Sequence, residues 1–379
     1  MQSHSSYCER SEPATVAAAA RELLAGSQDM LMVLVAEGEA PPLEQLVDGL
    51  AQLEGCTFFG GIFPELLVAG RRAKRGALLV RLPAHAAPLV IPKLDEAEDA
   101  LAQLAQALPE GSESATLVML VDGLTPAISK LLEATYDELG DRVSYWGGGA
   151  GVSSFERVPC LFTRDGVMKD AAVLGLSSLR AELGVRHGWE MIEGPFVVTR
   201  SKSNVVHELN WKPALEVYTK HVGAHVGREL EPSQLGEIWG SYPLGLQKQD
   251  QELVVRDPVG SGAGGSLLCV GDVPTNAALC LLHGEPETLV AAAEAAARDA
   301  AQTGPEQVRL CLIADCISRV LFMGEGFSKE LDAISTGLGE LAKARAPIGV
   351  LTLGEISSRG DGYLEFFNKT CVVAALHEH

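Results

Sequence analysis

Apolar residues along this chain fall into short unbroken runs, each followed by a stretch of helical periodicity. Leu31-Met32-Val33-Leu34-Val35 precedes a helix predicted over 42–53, then Phe58-Phe59-Gly60-Gly61 and Ala77-Leu78-Leu79-Val80. Leu117-Val118-Met119-Leu120-Val121 precedes a helix near 126–139, then Tyr145-Trp146-Gly147-Gly148-Gly149 and Ala172-Val173-Leu174-Gly175-Leu176. Leu310-Cys311-Leu312-Ile313-Ala314 precedes a helix over 327–344, then Gly349-Val350-Leu351-Thr352-Leu353-Gly354-Glu355 and Val372-Val373-Ala374-Ala375-Leu376. Unbroken apolar runs of this length are strands buried on both faces, and their alternation with helices implies layered α/β architecture. The unit is strand, helix, Gly-rich strand, variable segment, strand, repeated loosely three times. Only a loop separates Gly61 from Ala77 and Gly354 from Val372, so each closing strand is expected to pair antiparallel. The glycines either let a ligand approach the backbone or make tight turns.

The middle of the chain alternates apolar and polar residues. It predicts strands over 188–192, 196–199 and 204–209, with turns at Gly194-Pro195 and Lys202-Ser203-Asn204. Pro213 opens a helix over 214–222. A strand over 252–256, a flexible Gly/Ser loop over 260–265 and an Ala-rich helix over 286–303 follow. The expected fold is layered α/β with mixed, largely antiparallel sheets built from loosely repeated β-α-β-β units in two domains. A tail and helix occupy 1–28, the first domain 29–225 and the second 226–379.

With 379 residues, 47% hydrophobic and 21% charged, the chain is globular and long enough for two or three cores. Its formal net charge of -20 argues against nucleic acid and anionic membrane as partners. The one dense basic run, Arg71-Arg72 with Lys74-Arg75, adjoins apolar Leu78-Leu79-Val80 and reads as a solvated turn before a strand. No run of 18 apolar residues exists, and residues 1–11 lack a signal-peptide pattern, so a cytoplasmic location is expected. The eight cysteines are scattered without a C-x-x-C pair, as buried reduced thiols are, which disfavours zinc and iron–sulfur sites.

Gly188-Trp189, Gly194-Pro195, Val198-Thr199, Asn204-Val205-Val206, Glu208-Leu209 and Pro213-Ala214-Leu215-Glu216-Val217-Tyr218 resemble the end of a FIST N-terminal domain. Tyr242-Pro243-Leu244-Gly245, Val255-Arg256, Gly354-Glu355 and Asn368-Lys369-Thr370 resemble a FIST C-terminal domain. The resemblance implies an intracellular sensor that binds a small ligand. It is similar in size to the nitric-oxide-sensing haemoproteins of the NosP type, which would imply haem b, nitric oxide as ligand and a separate histidine kinase as partner. The alternatives are a sensor of another small molecule, such as an amino acid, or, ranked below it, a small-molecule hydrolase or transferase using the Gly-rich loops and Glu355. The assembly is left open, a homodimer included. The chain departs from the family where His207 replaces a common Tyr, and where Asp315-Cys316-Ile317-Ser318-Arg319 replaces a Cys-Ala-Gly-Arg-like run.

A haem sensor needs an axial ligand, usually a neutral imidazole. Of nine histidines, His4, His377 and His379 lie in the termini, His85 in a Pro/Ala-rich loop and His283 after an apolar run. His187, His207, His221 and His225 remain near the domain junction. His187 and His207 are the candidate iron ligands. Arg186 and Trp189 beside His187 could pair a propionate and stack on a ring; otherwise His187 is a solvent-facing strand-edge residue. His207 should point away from Val206, and His221 and His225 share a helix face at i, i+4. The candidate ligand pocket comprises Gly60, Gly61, Gly148, Gly149, Gly354, Glu355 and Asn368. Glu355 is either a carboxylate at the pocket rim or an exposed strand-end residue. No Gly-x-Ser-x-Gly elbow or phosphate-binding Gly-x-x-x-x-Gly-Lys loop occurs, so no enzymatic activity is expected.

Overall fold

The structure is a computed structural model and describes residues 4–84, 86–108, 115–248, 252–358 and 363–378. His85 and His379 lie outside the described residues. The elements β1 (Ser5–Cys8) and α1 (Pro13–Leu24) precede the first repeated unit. That unit runs β2 (Met30–Ala36), α2 (Leu43–Ala51), β3 (Phe58–Phe63), β4 (Leu66–Val68), β5 (Arg71–Ala73) and β6 (Ala77–Leu82). After β7 (Leu89–Ile91) and α3 (Glu98–Gln106), the second runs β8 (Thr116–Asp122), α4 (Ile128–Leu139), β9 (Ser144–Ala150), β10 (Leu161–Thr163), β11 (Gly166–Met168) and β12 (Ala172–Ser177). Strand β13 (Arg180–Arg186) leads to a middle segment of β14 (Glu190–Lys202), β15 (Val205–Leu209), β16 (Lys212–Pro213), α5 (Ala214–Val226), β17 (Leu244–Leu246), β18 (Val254–Arg256), β19 (Pro258–Gly262), β20 (Ser266–Cys269) and β21 (Ala278–His283). Helix α6 (Pro286–Ala300) opens the third unit: β22 (Val308–Cys316), α7 (Ile317–Met323), α8 (Phe327–Leu338), α9 (Glu340–Ala344), β23 (Ile348–Thr352), β24 (Glu355–Ser357), β25 (Glu365–Phe367) and β26 (Cys371–His377).

Each unit has the same centre. Its first strand pairs parallel with the Gly-rich strand and antiparallel with the closing strand, as β2 does with β3 and β6. The same holds for β8 with β9 and β12, and for β22 with β23 and β26. The expected antiparallel closure is therefore observed. The sequence pattern did not reveal that the short hairpins are exchanged. Hairpin β4–β5 joins β23, β10–β11 joins β3 and β24–β25 joins β9. The sheets read β1-β6-β2-β3-β10-β11, β7-β12-β8-β9-β24-β25 and β13-β26-β22-β23-β4-β5. Each of the three is completed by a hairpin from another unit, in a closed cycle.

Gly60, Gly147 and Gly349 hold the same register in the three units, opposite Val33, Met119 and Ile313. A Cβ at any of them would collide with the carbonyl oxygen of that partner. Here glycine serves a close backbone approach within the sheet. One core collects residues such as Val33, Leu120, Trp146, Ala314 and Val372 from all three sheets. Helices α3 and α4 cover the second sheet through Leu101, Leu104 and Leu131, and α6 and α8 cover the third through Ala293, Ala297, Leu331 and Ile334. The middle segment forms a fourth sheet, β18-β17-β21-β14-β15-β20-β19.

Several expectations need correction. Strand β14 runs through the cis Gly194–Pro195 bond, with one shift of register against β21 just before it and another across it, so no turn stands there. Residues 260–265 are the end of β19 and a tight turn, tied to β20. The helix over 327–344 is two helices, broken at Gly339, whose φ is 56°. Helix α5 continues through Gly223 and carries both His221 and His225. Arg71 and Arg72 lie on edge strand β5, and Arg72 forks Glu65 with two bonds of 2.7 Å. The eight cysteines are buried and free, and no helix among the described residues is long and apolar enough to cross a membrane.

Gly147→Ala should lower the unfolding free energy by about 3–5 kcal/mol in a denaturant titration, while Gly236→Ala, where an added Cβ meets nothing, should stay within about 0.5 kcal/mol.

Candidate functional site

Shared register allows the units to be compared position by position. Two residues beyond the glycine-paired position stand Val35 in β2, Val121 in β8 and Asp315 in β22. The hairpin residue opposite the next position of the Gly-rich strand is Leu66, Leu161 and Glu355. The third unit thus places carboxyls where its sister units bury valine and leucine. Both are fully buried, which costs stability unless the charge is paired or neutralised.

On the helix side of β22, Asp315 meets Arg319 of α7 and Glu330 of α8. Arg319 Nε and Nη2 donate to the two Glu330 oxygens at 2.7 and 2.9 Å. Nη1 donates to the carbonyls of His187 and Lys369 at 2.6 and 3.0 Å, and Nη2 to that of Leu289 at 3.0 Å. Arg319 Nε lies 3.4 Å from Asp315 Oδ1, yet neither Asp315 oxygen accepts a hydrogen bond among the described residues. Burial, then the Glu330 charge, pushes the Asp315 carboxyl well above its usual range; Arg319 opposes this. Burial works against the Arg319 charge, but Glu330 and Asp315 outweigh it and hold the guanidinium protonated. Asp315, Glu330 and Cys371 have metal-ligand spacing, but the guanidinium already supplies their cation, and a metal would have to displace it.

On the inner side, the Thr352 hydroxyl donates to Glu355 Oε1 at 2.6 Å and the Thr370 amide to Oε2 at 3.2 Å. Burial nevertheless raises the Glu355 carboxyl to about 8. The reading of Glu355 as an exposed strand end is overturned. Burial also raises the Cys316 and Cys371 thiols, so neither is a thiolate near neutral pH.

A cleft of about 410 Å³ lies nearby. One wall is α4, with Ser129, Leu132, Glu133, Tyr136 and Asp137; the other combines Leu246, Lys248, Arg256 and Asp272 with the stretch Tyr363 to Phe366. Arg256, which lines the cleft, is only 5% exposed. Its Nε donates to Asp272 O at 2.8 Å and its Nη1 to Val255 O and Phe366 O, each at 3.1 Å. Burial lowers the Arg256 pKa and the Glu365 charge opposes that. A contact path joins cleft and buried cluster. Asp257, next to Arg256, binds Lys369 Nζ at 3.2 Å, and the Lys369 carbonyl receives Arg319 and the Trp189 indole N–H at 3.0 and 3.2 Å.

The residues singled out from the sequence fall in several places. Gly148 pairs with Glu355, the Gly149 amide donates to Gly354 O at 2.8 Å, and buried Asn368 adjoins Phe367, which also pairs with Glu355. Gly60 and Gly61 lie in the first sheet, packed on Phe162, Ala150 and Leu161. The four histidines do not converge. His187 is buried rather than solvent-facing; its Nδ1 accepts the Trp189 amide at 2.9 Å and its Nε2 lies 3.2 Å from Glu252. Arg186 pairs with Asp299 at 2.7 Å. His207 is half-buried on β15, beside fully buried Val206. His221 packs on Phe196, and His225 Nδ1 lies 3.1 Å from Tyr242 Oη. None of the four lines the cleft. The sequence reading missed Lys248, Glu365 and Tyr136; Arg256 closing an apolar strand was the available signal.

The molecule is a mixed α/β protein of two sequence domains with a cleft where they meet. Residues 55–212 match the FIST N domain and residues 214–358 the FIST C domain, so the chain carries both FIST domains in tandem. FIST domains are small-ligand sensing domains. No curated protein matches the chain.

Arg319→Met leaves Glu330 buried without its cation and should cost about 3–5 kcal/mol by chemical denaturation, much of it recovered in Arg319→Met with Glu330→Met. Glu355 binds its proton more tightly folded than unfolded, so its contribution is full at low pH and is lost as pH rises from about 4.5 to about 8. Glu355→Gln should flatten the fall in stability across that window; an unchanged pH profile would assign the fall to other groups.

Proposed function

We propose that this FIST protein senses a small molecule bound in the cleft between α4 and the β17–β18–β25 wall. The observation that carries this is the position of the cleft. Its α4 wall lies within the FIST N match, and Leu246 to Pro274 of the facing wall lie within the FIST C match. A ligand held by both walls stabilises one arrangement of the domains over another, which is what a sensor needs. The carboxylates Glu133 and Asp137, the cations Lys248 and Arg256 and the rings of Tyr136 and Tyr363 suit a compact polar molecule with an apolar body. The acidic chain, with net charge -20, then presents the changed state to a signalling partner. A thermal-shift screen of small metabolites tests this: a true ligand adds about 2.7 kcal/mol at a hundredfold excess over Kd. Ser129→Trp, which fills the cleft from α4, should abolish that response while leaving the unliganded melting temperature nearly unchanged. A response that survives Ser129→Trp places the ligand elsewhere.

The narrower reading, haem b sensing nitric oxide and regulating a histidine kinase, rests on the family resemblance alone. His187 does not fit an iron ligand, because bond formation would displace Glu252 or the Trp189 amide. His207 is the remaining candidate for iron. This reading expects a Soret band after haem addition that is lost in His207→Ala; absence of the band sets it aside.

A further inference from the structure

The cleft holds one internal arrangement that the sensor reading leaves unexplained. Glu365 of β25 lies between the two cations of the cleft. Its Oε1 pairs with Lys248 Nζ, and its Oε2 stands 3.8 Å from Arg256 Nη2. That second distance is too long for a hydrogen bond. The Nε and Nη1 of Arg256 are used by backbone carbonyls, so the Nη2 edge is the part of the guanidinium turned toward Glu365. A guanidinium is a rigid fork that matches a carboxylate with two parallel bonds. Glu365, fixed on a strand paired with β24, does not reach that geometry. Leu246, Tyr136 and Tyr363 line the same cleft and offer apolar and aromatic surface, with Tyr363 69% exposed and its ring 5.8 Å from that of Tyr136. Lys248 Nζ lies 5.9 Å from the Tyr363 ring centre.

Resting on the cleft as the sensing site, we propose that its ligand is a small organic carboxylate, which replaces the Glu365 carboxylate between Lys248 and Arg256. The space between the cations is already that of a carboxylate, with one oxygen for each. The ligand's body then lies against Tyr136, Leu246 and Tyr363. The acids Glu133 and Asp137 on α4 disfavour a dianion such as phosphate at the same place. Displacement also supplies the response. Glu365 opens β25, and Phe367 two residues on pairs with Glu355, so releasing Glu365 loosens the exchanged hairpin that joins the third unit to the second sheet.

The test compares phenylacetate with phenethylamine by isothermal titration calorimetry on the full chain. Wild type should bind phenylacetate and not the amine. Glu365→Gln removes the internal competitor while keeping its shape, and should tighten phenylacetate binding about tenfold. Lys248→Met, at a partly exposed position, should weaken it about tenfold, a readout that holds if Glu365→Gln folds poorly. Unchanged or weaker phenylacetate binding in Glu365→Gln, or preference for the amine, overturns the proposal. So does a Glu365→Gln protein that binds neither probe. In each case a metabolite response that Ser129→Trp abolishes would still support the cleft as the sensing site, so the two readings fail separately.

Discussion

The third repeat depends on one buried guanidinium. Arg319 donates to the carbonyls of His187, Lys369 and Leu289 and forks Glu330, so one side chain ties β13's exit, the turn before β26, α6 and α8. Its charge permits carboxyls inside a unit whose sisters bury valine and leucine at the same register. Three carboxyls, Asp315, Glu330 and Glu355, share that interior with it. Proton uptake by Asp315 and Glu355 resolves the excess, because burial raises both. Conserving fold while changing polarity in one repeat of three is how a repeated scaffold acquires a site.

The exchanged hairpins explain why that site is not isolated. Hairpin β24–β25 belongs to the third unit by sequence but pairs with β9 of the second. Its far strand contributes Glu365 to the cleft, and its near strand starts with Glu355 in the interior. Arg256 and Asp257 make the second link, through Lys369 to Arg319. Under the proposed function, an event in the cleft acts on two elements that both end at the buried cluster. Coupling of this kind needs contiguous packed contacts, and those are present from Arg256 to Glu330.

Much of the fold was legible in the sequence because unbroken apolar runs and glycines carry strong local signals. The three units, the central helices of the first two and the antiparallel closing strands follow from such signals, whereas the third unit's helix is broken at Gly339 and preceded by α7. Hairpin exchange was not legible, since a three-residue strand such as Leu66–Val68 carries no mark of which sheet it joins. The glycines were visible, but their role was open: at Gly60, Gly147 and Gly349 the crowding atom is a neighbouring carbonyl. Glu355 was read as a carboxylate either at a pocket rim or exposed at a strand end, and it is fully buried, because burial of a lone carboxyl after an apolar strand cannot be read locally. The cleft brings together α4, β17, β18 and β25, far apart in sequence, and only tertiary structure assembles it. The four histidines were grouped by their nearness to the domain junction in sequence; folding keeps His221 and His225 on one helix, places His187 just after β13 and His207 on β15, and brings none of them to the cleft.

The most direct measurement is a crystal structure of the chain grown with whichever compound raises its melting temperature most. Density for that compound is expected between α4 and the wall formed by Leu246, Arg256 and Phe366. Density bound instead beside His207, or on the outer surface of the fourth sheet with the cleft unchanged, would contradict that placement.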